Sequence, residues 1–313
     1  YANKIPSFIK VIGDFAFSDC ANLENVEFAS KSKLEIIKSN GFSATSFTRI
    51  KIPSHVRQIC RSAFSYSDLE TIEFTEDTEL KVIERNTFKL AGITEITIPS
   101  TVEVIEKGWC MSLSNMSKFT IMPNKNFLNY NGDYILSKSD TESDIFDVLI
   151  FARRDIVAAK IPSTVKAIAC GSFYDCAKLY NVEFNEDSQL EIIEKESFIF
   201  CPFEKLSFPY HLTQICEMAY VSCRNLKKVH FHENSQLKDA GKMVFQNFIF
   251  PSIVIPPHLT DVGEMAFGTY SYLIEIPENS ELKSLKPFVN DKANKEQLFM
   301  IPVKKRSTYL IKE

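Results

Sequence analysis

The chain has 313 residues, 45 % of them hydrophobic and 24 % charged, a balance that excludes an intrinsically disordered protein. Its formal net charge of −4 offers no basic field for a nucleic-acid backbone or an anionic membrane surface. No apolar run reaches the roughly 20 residues that span a bilayer, so we expect neither nucleic-acid binding nor membrane insertion by this segment.

A regular internal repeat is the main feature of the sequence. An apolar residue followed by proline recurs with spacings of 47, 46, 63, 47, 47 and 46 residues. The longer interval leaves room for an insertion. The pairs are Ile5-Pro6, Ile52-Pro53, Ile98-Pro99, Ile161-Pro162, Phe208-Pro209, Ile255-Pro256 and Ile301-Pro302.

Each long unit divides into two halves of about 23 residues, and each half has one recurring aromatic position, which we call the hub. In the first halves the hub residues are Phe17, Phe64, Phe173, Tyr220 and Phe267, with Cys110 standing in once. In the second halves they are Phe42, Phe88, Phe198 and Phe245. About twelve such half-repeats fill the chain.

Short strands are predicted near the end of each half-repeat. The segment Leu23-x-x-Val26-x-Phe28 alternates apolar and polar positions with the period of a strand that is buried on one face. A unit of this size cannot bury its own apolar face, so neighbouring units must stack. We therefore predict an α/β-type repeat solenoid, mostly β, with a parallel concave sheet and few or no regular long helices, as a single domain over residues 1–313.

Two segments depart from the repeat. Residues 122–160 contain an Asn131-Gly132 turn signal and a second apolar run at 148–151, which predict a projecting hairpin with a polar tip from Ser137 to Asp144. The alternative is a degenerate coil with a long loop. Residues 282–313 are predicted to form a degenerate C-terminal coil or cap.

The repeat resembles a known family. The pattern Ile-Pro-Ser-x-Val-x-x-Ile-x-x-x-x-Phe-x-x-Cys-x-x-Leu-x-x-Val-x-Phe, read from Ile161 to Phe184, is similar to the BspA-type, or Treponema pallidum-type, leucine-rich repeat. The resemblance covers nearly the whole chain and implies a right-handed leucine-rich-repeat solenoid. Members of that family are surface proteins of oral anaerobes and protozoan parasites, several of them associated with adhesion. The resemblance fixes no binding residue.

The cysteines and histidines are better explained by repeat phase than by chemistry. Four cysteines lie three residues after a hub and are predicted to be buried: Cys20, Cys176, Cys201 and Cys223. A disulfide among the last three stays open if the compartment is oxidising. Three histidines, His55, His211 and His258, share one turn phase.

A metal site is the weaker interpretation of the other two histidines. His230 and His232 flank Phe231, so their imidazoles share one face of the strand, and Glu233 follows directly in the sequence. A metal site needs further ligands that the sequence does not offer, and we therefore prefer exposed surface histidines. No cofactor or metal is expected.

The outward strand positions are the predicted partner-binding residues. From these positions, together with two tyrosines of the insertion, the candidates are Arg49, Lys51, Glu73, Glu95, Lys118, Tyr130, Tyr134, Glu183, Lys205, Lys228 and His230. The alternative is that opposite charges on this face merely compensate one another.

The sequence contains no recognised catalytic motif, and we do not expect an enzyme. The leading hypothesis is a cell-surface or secreted adhesion module that binds a host or microbial protein, with a host matrix or cell-surface protein as the suspected ligand. An intracellular, cytoplasmic scaffold is the alternative. The eight cysteines look unpaired, which favours this alternative because disulfides are rare in the cytosol.

Overall fold

The computed structural model describes residues 3–247, 253–267, 273–282 and 299–303. Over these residues every regular element is a strand, and none is a helix. The chain divides into two compact units, unit 1 (Tyr1–Ile156 and Ala169–Lys178) and unit 2 (Val157–Ile168 and Leu179–Glu313). Both are built of stacked parallel β-coils, which confirms the predicted mostly-β solenoid. That the two form one continuous array stays a prediction.

Unit 1 contains the first fourteen strands of the chain. They are β1 (Asn3–Ile5), β2 (Val11–Ile12), β3 (Val26–Phe28), β4 (Ile36–Ile37), β5 (Arg49–Ile52), β6 (Gln58–Ile59), β7 (Thr71–Phe74), β8 (Val82–Ile83), β9 (Glu95–Ile98), β10 (Val104–Ile105), β11 (Lys118–Ile121), β12 (Phe127–Tyr130), β13 (Tyr134–Ser137) and β14 (Val148–Ala152).

The coils of unit 1 present two strand faces. We call the strands β1, β3, β5, β7, β9 and β11 the front strands of unit 1; they pair in parallel as β1–β3, β5–β7 and β9–β11. The two-residue strands form a continuous parallel back sheet in the order β10-β8-β6-β4-β2. Front strands such as β5 alternate exposed and buried residues, so their apolar side chains fill the space between the two faces.

Proline explains why the front strands pair in twos. The N–H of Ala29, just after β3, donates a 3.0 Å hydrogen bond to the carbonyl of Ile5 in the preceding coil. Pro53 holds the same place after β5, and Pro99 holds it after β9. Because proline has no N–H to donate, a coil that ends in proline cannot make this bond to the coil before it.

Unit 2 repeats the same scheme. Its strands are β15 (Ala158–Ile161), β16 (Ala167–Ile168), β17 (Asn181–Phe184), β18 (Ile192–Ile193), β19 (Lys205–Phe208), β20 (Gln214–Ile215), β21 (Lys228–Phe231), β22 (Asp239–Ala240), β23 (Ile253–Val254), β24 (Asp261–Val262), β25 (Leu273–Pro277) and β26 (Phe299–Val303).

The front strands of unit 2 also pair in parallel, as β15–β17, β19–β21 and β23–β25–β26. The short strands β16, β18, β20, β22 and β24 are parallel neighbours in its back sheet. Most of the predicted C-terminal coil or cap at 282–313 lies outside the described residues, apart from Leu282 and β26.

Hub side chains form stacks through the core of each unit. In unit 1, Phe42 stacks on Phe17 with ring centroids 5.1 Å apart and on Phe64 at 5.7 Å. In unit 2, Tyr220 stacks on Phe198 at 5.0 Å and on Phe245 at 5.5 Å. The repeated aromatic position is therefore the central packing position of each coil.

The coil at Cys110 differs from this prediction. Cys110 holds the backbone place of a hub, but the ring that replaces the missing aromatic belongs to Trp109. Its indole contacts Phe88 with a centroid distance of 6.1 Å and Phe151 at 6.0 Å. The repeat spacing predicted the place of this coil, but it indicated Cys110 as the packing residue instead of Trp109.

Left-handed residues two positions before and two positions after each hub make the corners. At most of these positions the N–H donates to a carbonyl of the next coil, as from Ser62 to the carbonyl of Arg85 at 3.2 Å. These bonds offset the cost of a left-handed backbone in a residue with a side chain, which explains how so few glycines suffice. The positions are Phe15, Asp19, Asn40, Ala44, Ser62, Tyr66, Asn86, Leu90, Gly108, Ser112, Gly171, Asp175, Glu196, Phe200, Met218, Ser222, Met243, Asn247 and Met265.

Residues 122–160 contain an antiparallel meander. Strand β12 pairs with β13 across a turn at 131–133, and β13 pairs with β14. The expectation that the strands project is wrong, because β13 is buried over its first three residues and β14 throughout. Strands β13 and β14 belong to the core of unit 1, whereas β12 is exposed at two of its four residues. The connection at 138–147 is also exposed, since most of its residues reach solvent.

Candidate functional site

Five predicted binding residues lie together on the front strands of unit 1. All five are exposed, and they line a shallow concavity of about 570 Å³ together with Thr71, Thr97 and Thr120. Neighbouring parallel strands bring them together across four coils. They are Arg49 and Lys51 on β5, Glu73 on β7, Glu95 on β9 and Lys118 on β11.

Ion pairs join four of these five side chains. Lys118 Nζ lies 2.9 Å from Glu95 Oε2, and Arg49 Nη1 lies 3.6 Å from Glu73 Oε1. Lys51 stands in register with Glu73, as the sequence predicts, but it has no carboxylate within ion-pair distance among the described residues. Exposed pairs of this kind contribute about 0–1 kcal/mol each, so they order the face more than they stabilise it.

A second concavity of unit 1, of about 510 Å³, begins where the first ends. Lys51 lines both, and the second is also lined by Glu27, His55 and Asp77. At its edge Glu79 accepts hydrogen bonds from Arg57 Nε at 2.8 Å and pairs with His55 Nδ1 at 3.0 Å. The hydrogen bond from Arg57 holds the pKa of Glu79 below its ordinary value. Lys51 is therefore the cation that is open to both concavities.

The predicted residues of unit 2 are exposed on its own front strands. Glu183 lies on β17, Lys205 on β19, and Lys228 and His230 on β21. The expected pairing of Glu183 with Lys205 is not present within the described chain, because the Glu183 carboxylate accepts a 2.7 Å hydrogen bond from Asn181 Nδ2. Instead, Lys205 stands in register with Lys228.

The two tyrosines of the meander have different environments. Tyr134 is only 2 % exposed, and its ring lies 6.0 Å from that of Phe173 and 6.3 Å from that of Tyr130. The prediction of Tyr134 as a partner-binding residue is therefore wrong, since its ring is part of the core of unit 1. Tyr130 is half-buried and keeps access to solvent.

None of the eight cysteines of the described residues takes part in a disulfide. Cys176, Cys201 and Cys223 are buried, as repeat phase predicts, and carry no disulfide. Cys20 is exposed, so the prediction that it is buried is wrong.

The histidines lie on the surface. His230 and His232 are exposed, and His55 and His258 pair with Glu79 and Glu281. Over the residues that the structure describes, no three His, Cys, Asp or Glu side chains are placed to hold a metal ion. Within the same residues no helix is long and apolar enough to cross a membrane.

Arg154 is a buried cation that sequence reasoning did not identify. It is 3 % exposed, and its guanidinium donates to the carbonyls of Ser172 at 2.7 Å and Leu113 at 3.2 Å. The Phe151 ring lies 4.7 Å from it. Its position directly after the apolar strand β14 was the available signal, because neither the apolar-proline corners nor the hub positions identify residue 154.

Comparison with known proteins identifies the repeat. A model described as the BspA type leucine rich repeat region matches residues 2–116 and 145–274 in six copies. The unmatched interval begins at β11 and includes the β12–β13 hairpin, which is where the regular coils give way to the meander. No curated protein is significantly similar in sequence.

Three solved structures share the fold. The pneumococcal vaccine antigen PcpA is 22 % identical, with a TM-score of 0.78 over 96 % of this chain and 79 % of that protein. A leucine-rich cell surface protein of Faecalibacterium prausnitzii is 21 % identical, with a TM-score of 0.61 over 88 % and 73 %. A leucine-rich repeat protein of Eubacterium ventriosum is 17 % identical, with a TM-score of 0.59 over 99 % and 91 %.

Identities this low establish the fold alone. The family match is of a different kind, since it covers most of the chain in six copies. This chain belongs to the BspA-type leucine-rich repeat family.

Proposed function

We propose that the chain is a protein-binding module of a cell-surface or secreted adhesion protein and that it has no catalytic activity. The observation that carries the proposal is the gathering of Arg49, Lys51, Glu73, Glu95 and Lys118 around one concavity of unit 1. Repeat proteins bind partners through extended surfaces of this kind. The family and the surface proteins that share the fold support the cellular location.

A charge swap on the front strands tests the proposal. The double variant Glu95→Lys/Lys118→Glu keeps an ion pair across β9 and β11 but reverses the two charges that a partner meets. The 313-residue chain would be measured against immobilised extracellular matrix proteins and host cells by surface binding. We expect binding by the native chain and a loss of about tenfold or more in the swapped variant, because complementary charge governs association.

The control is an equivalent swap outside the front face. Lys81 and Glu103 form a 2.7 Å ion pair in unit 1, and Lys81→Glu/Glu103→Lys makes the same reversal without touching the concavity. This variant should bind like the native chain. Equal binding by all three proteins, or no binding above that of a scrambled control, would sink the proposal.

The rival function is an intracellular scaffold for protein–protein interaction. The specific observation in its favour is that none of the eight cysteines of the described residues takes part in a disulfide, since exported proteins tend to oxidise exposed or neighbouring cysteines. Thiol titration of protein isolated from its native source, in denaturant and without reductant, separates the two. A disulfide supports export, whereas eight titratable thiols together with cytosolic localisation would support the scaffold.

A further inference from the structure

An uncompensated pair of lysines marks the front strands of unit 2. Lys205 on β19 and Lys228 on β21 are directly opposite each other in a parallel ladder, with neighbouring strands about 4.8 Å apart. Both side chains are exposed. Like charges placed opposite each other destabilise a sheet, so this arrangement opposes folding unless something else balances it.

The chain itself does not balance this pair. Within the described residues, no carboxylate lies within ion-pair distance of Lys205 or Lys228. Glu183 on the adjacent front strand is hydrogen-bonded by Asn181, and Glu204 pairs with Lys227 at 3.2 Å. The front strands of unit 1 behave differently, since Arg49 and Lys118 each have a carboxylate partner.

Lys205 stands in register beside Lys228, and Lys228 lines a groove whose lining does not include Lys205. We call this the unit 2 groove. It has a volume of about 570 Å³, and its lining includes Lys228, His230, His232, Glu233, Val254 and Pro256. Val254 is 52 % exposed, so the groove offers an uncovered apolar side chain beside a cationic rim. Exposed apolar surface bordered by polar groups is typical of interaction sites.

We propose that the unit 2 groove binds an extended acidic segment of a protein partner, with carboxylates at the Lys205–Lys228 pair and an apolar side chain against Val254. The proposal rests on the protein-binding function proposed above and names the partner chemistry for unit 2. In an extended chain, alternate side chains point the same way about 6.6–6.8 Å apart, and two flexible lysine stems can each reach a separate carboxylate.

A protein segment fits this groove better than a sulfated polysaccharide. The described lining contains no arginine, whereas planar two-pronged recognition of phosphate-like oxyanions favours arginine. Its accessible apolar part, exposed Val254 with half-buried Pro257, would gain little from a heavily sulfated sugar but would contact the aliphatic side chains of a peptide.

The test uses labelled peptides and the full 313-residue chain. Fluorescence anisotropy would use a ten-residue peptide, Glu-Ser-Glu-Ser-Val-Ser-Glu-Ser-Glu-Ser, whose Glu and Val side chains share one face of an extended chain; we call it the Glu-Val peptide. The Gln-Val and Lys-Val peptides replace each Glu by Gln or by Lys, and heparin would serve as competitor. We expect only the Glu-Val peptide to bind, with affinity falling as salt rises. Lys205→Gln/Lys228→Gln should weaken binding by about tenfold or more. Glu233→Gln, which removes the one carboxylate of the described lining, should strengthen it.

The matched control removes the same charge from the back of unit 2. Lys195 and Lys242 pair with Glu217 and Glu264, and Lys195→Gln/Lys242→Gln should bind the Glu-Val peptide like the native chain. Circular dichroism confirms that every variant is folded. Undiminished binding by Lys205→Gln/Lys228→Gln overturns the proposal, as do an equal loss in the control variant, binding of heparin without the peptide, and no binding of the Glu-Val peptide by the native chain.

These outcomes are separable from those of the adhesion assay. If whole partner proteins fail to bind but the peptide result holds, the adhesion proposal fails and the groove stands. If matrix proteins bind in a manner that depends on Glu95 and Lys118 while the lysine pair proves irrelevant to the peptide, the groove proposal fails alone.

Discussion

The guanidinium of Arg154 donates a 2.7 Å hydrogen bond to the backbone carbonyl of Ser172, in a part of unit 1 where both residues are buried. The same guanidinium reaches the carbonyls of Leu113, Cys110 and Gly171. No carboxylate is within ion-pair distance of it among the described residues. Its charge is therefore balanced by backbone dipoles, and one side chain links three separate backbone segments beside the meander.

Replacing this cation should destabilise unit 1 strongly. Arg154→Met removes the guanidinium donors from four buried carbonyls, each of which keeps one backbone N–H donor. Because hydrogen bonds of a charged group contribute about 1.5–3 kcal/mol, we expect a net loss of about 3 kcal/mol. Arg154→Lys should also be destabilising, because an ammonium group cannot reproduce the planar fork. Urea unfolding followed by circular dichroism measures both effects.

The neighbouring arginine provides the control for Arg154. Arg153 is partly exposed and pairs with Asp133 at 2.8 Å and with Asp155 at 3.1 Å. Arg153→Gln should cost about 1 kcal/mol or less. If Arg154→Met were no more destabilising than Arg153→Gln, the assignment of Arg154 as a structural link would be wrong.

The aromatic stack predicts a large effect at one internal ring. Phe64 lies between Phe42 and Phe88, with centroid distances of 5.7 and 5.9 Å, and is fully buried. Phe64→Ala should lower the free energy of unfolding by about 3–5 kcal/mol, because it opens a cavity between coils. Phe15, which is 63 % exposed, is the comparison, and Phe15→Ala should change stability by about 0.5 kcal/mol or less. Similar losses at both positions in thermal unfolding would contradict the stacking argument.

At the left-handed corners, replacing a glycine should lower stability and introducing a glycine should raise it. Gly171 has a φ of +66°, and an added Cβ would lie 2.8 Å from Met111 Cγ, so Gly171→Ala should cost about 1–3 kcal/mol. Ser62 has a φ of 57°, and Ser62→Gly should raise stability by up to about 1 kcal/mol because the strain is relieved. Ser100→Gly, in a turn outside the left-handed set, should instead lower it by a few tenths. Calorimetry of the three variants checks the signs.

The fold could be predicted from the sequence because the same weak local pattern recurs in many coils. One apolar-proline pair means little, but seven of them at near-equal spacing locate each coil and identify the hub residues. The strand alternation likewise placed Arg49, Lys51 and Glu73 outward, where the structure has them.

One group of misassignments lies where the regular coils give way to the meander. Tyr134 and the strands of the meander belong to a segment without repeat phase, so nothing in the local pattern distinguished core from surface there. Trp109 and Arg154 depend on contacts between segments far apart in sequence, and periodicity carries no information about such contacts. Side-chain pairing is a similar case: the register of Lys51 with Glu73 was predictable, whereas the diagonal Arg49–Glu73 ion pair depends on side-chain length and rotamer.

The buried thiol of Cys110 makes stability depend on alkaline pH. Burial raises its pKa to about 12, and the nearby Arg154 cation only partly opposes this. In the unfolded chain a cysteine has a pKa of about 8.5. Below that pH the thiol is neutral in both states, and the stability it contributes is fully present.

As pH rises from about 8.5 towards 12, the unfolded state loses the Cys110 proton first. The free energy of unfolding should therefore fall by up to about 1.4 kcal/mol per pH unit from this group. Urea unfolding between pH 8 and 11 should show a shallower fall in Cys110→Ala than in the native chain, whatever the absolute stability of that variant. Cys20→Ala, at an exposed thiol, should leave the native pH dependence in place. Parallel curves for the native chain and Cys110→Ala would mean that this thiol ionises as readily inside the protein as it does in the unfolded chain.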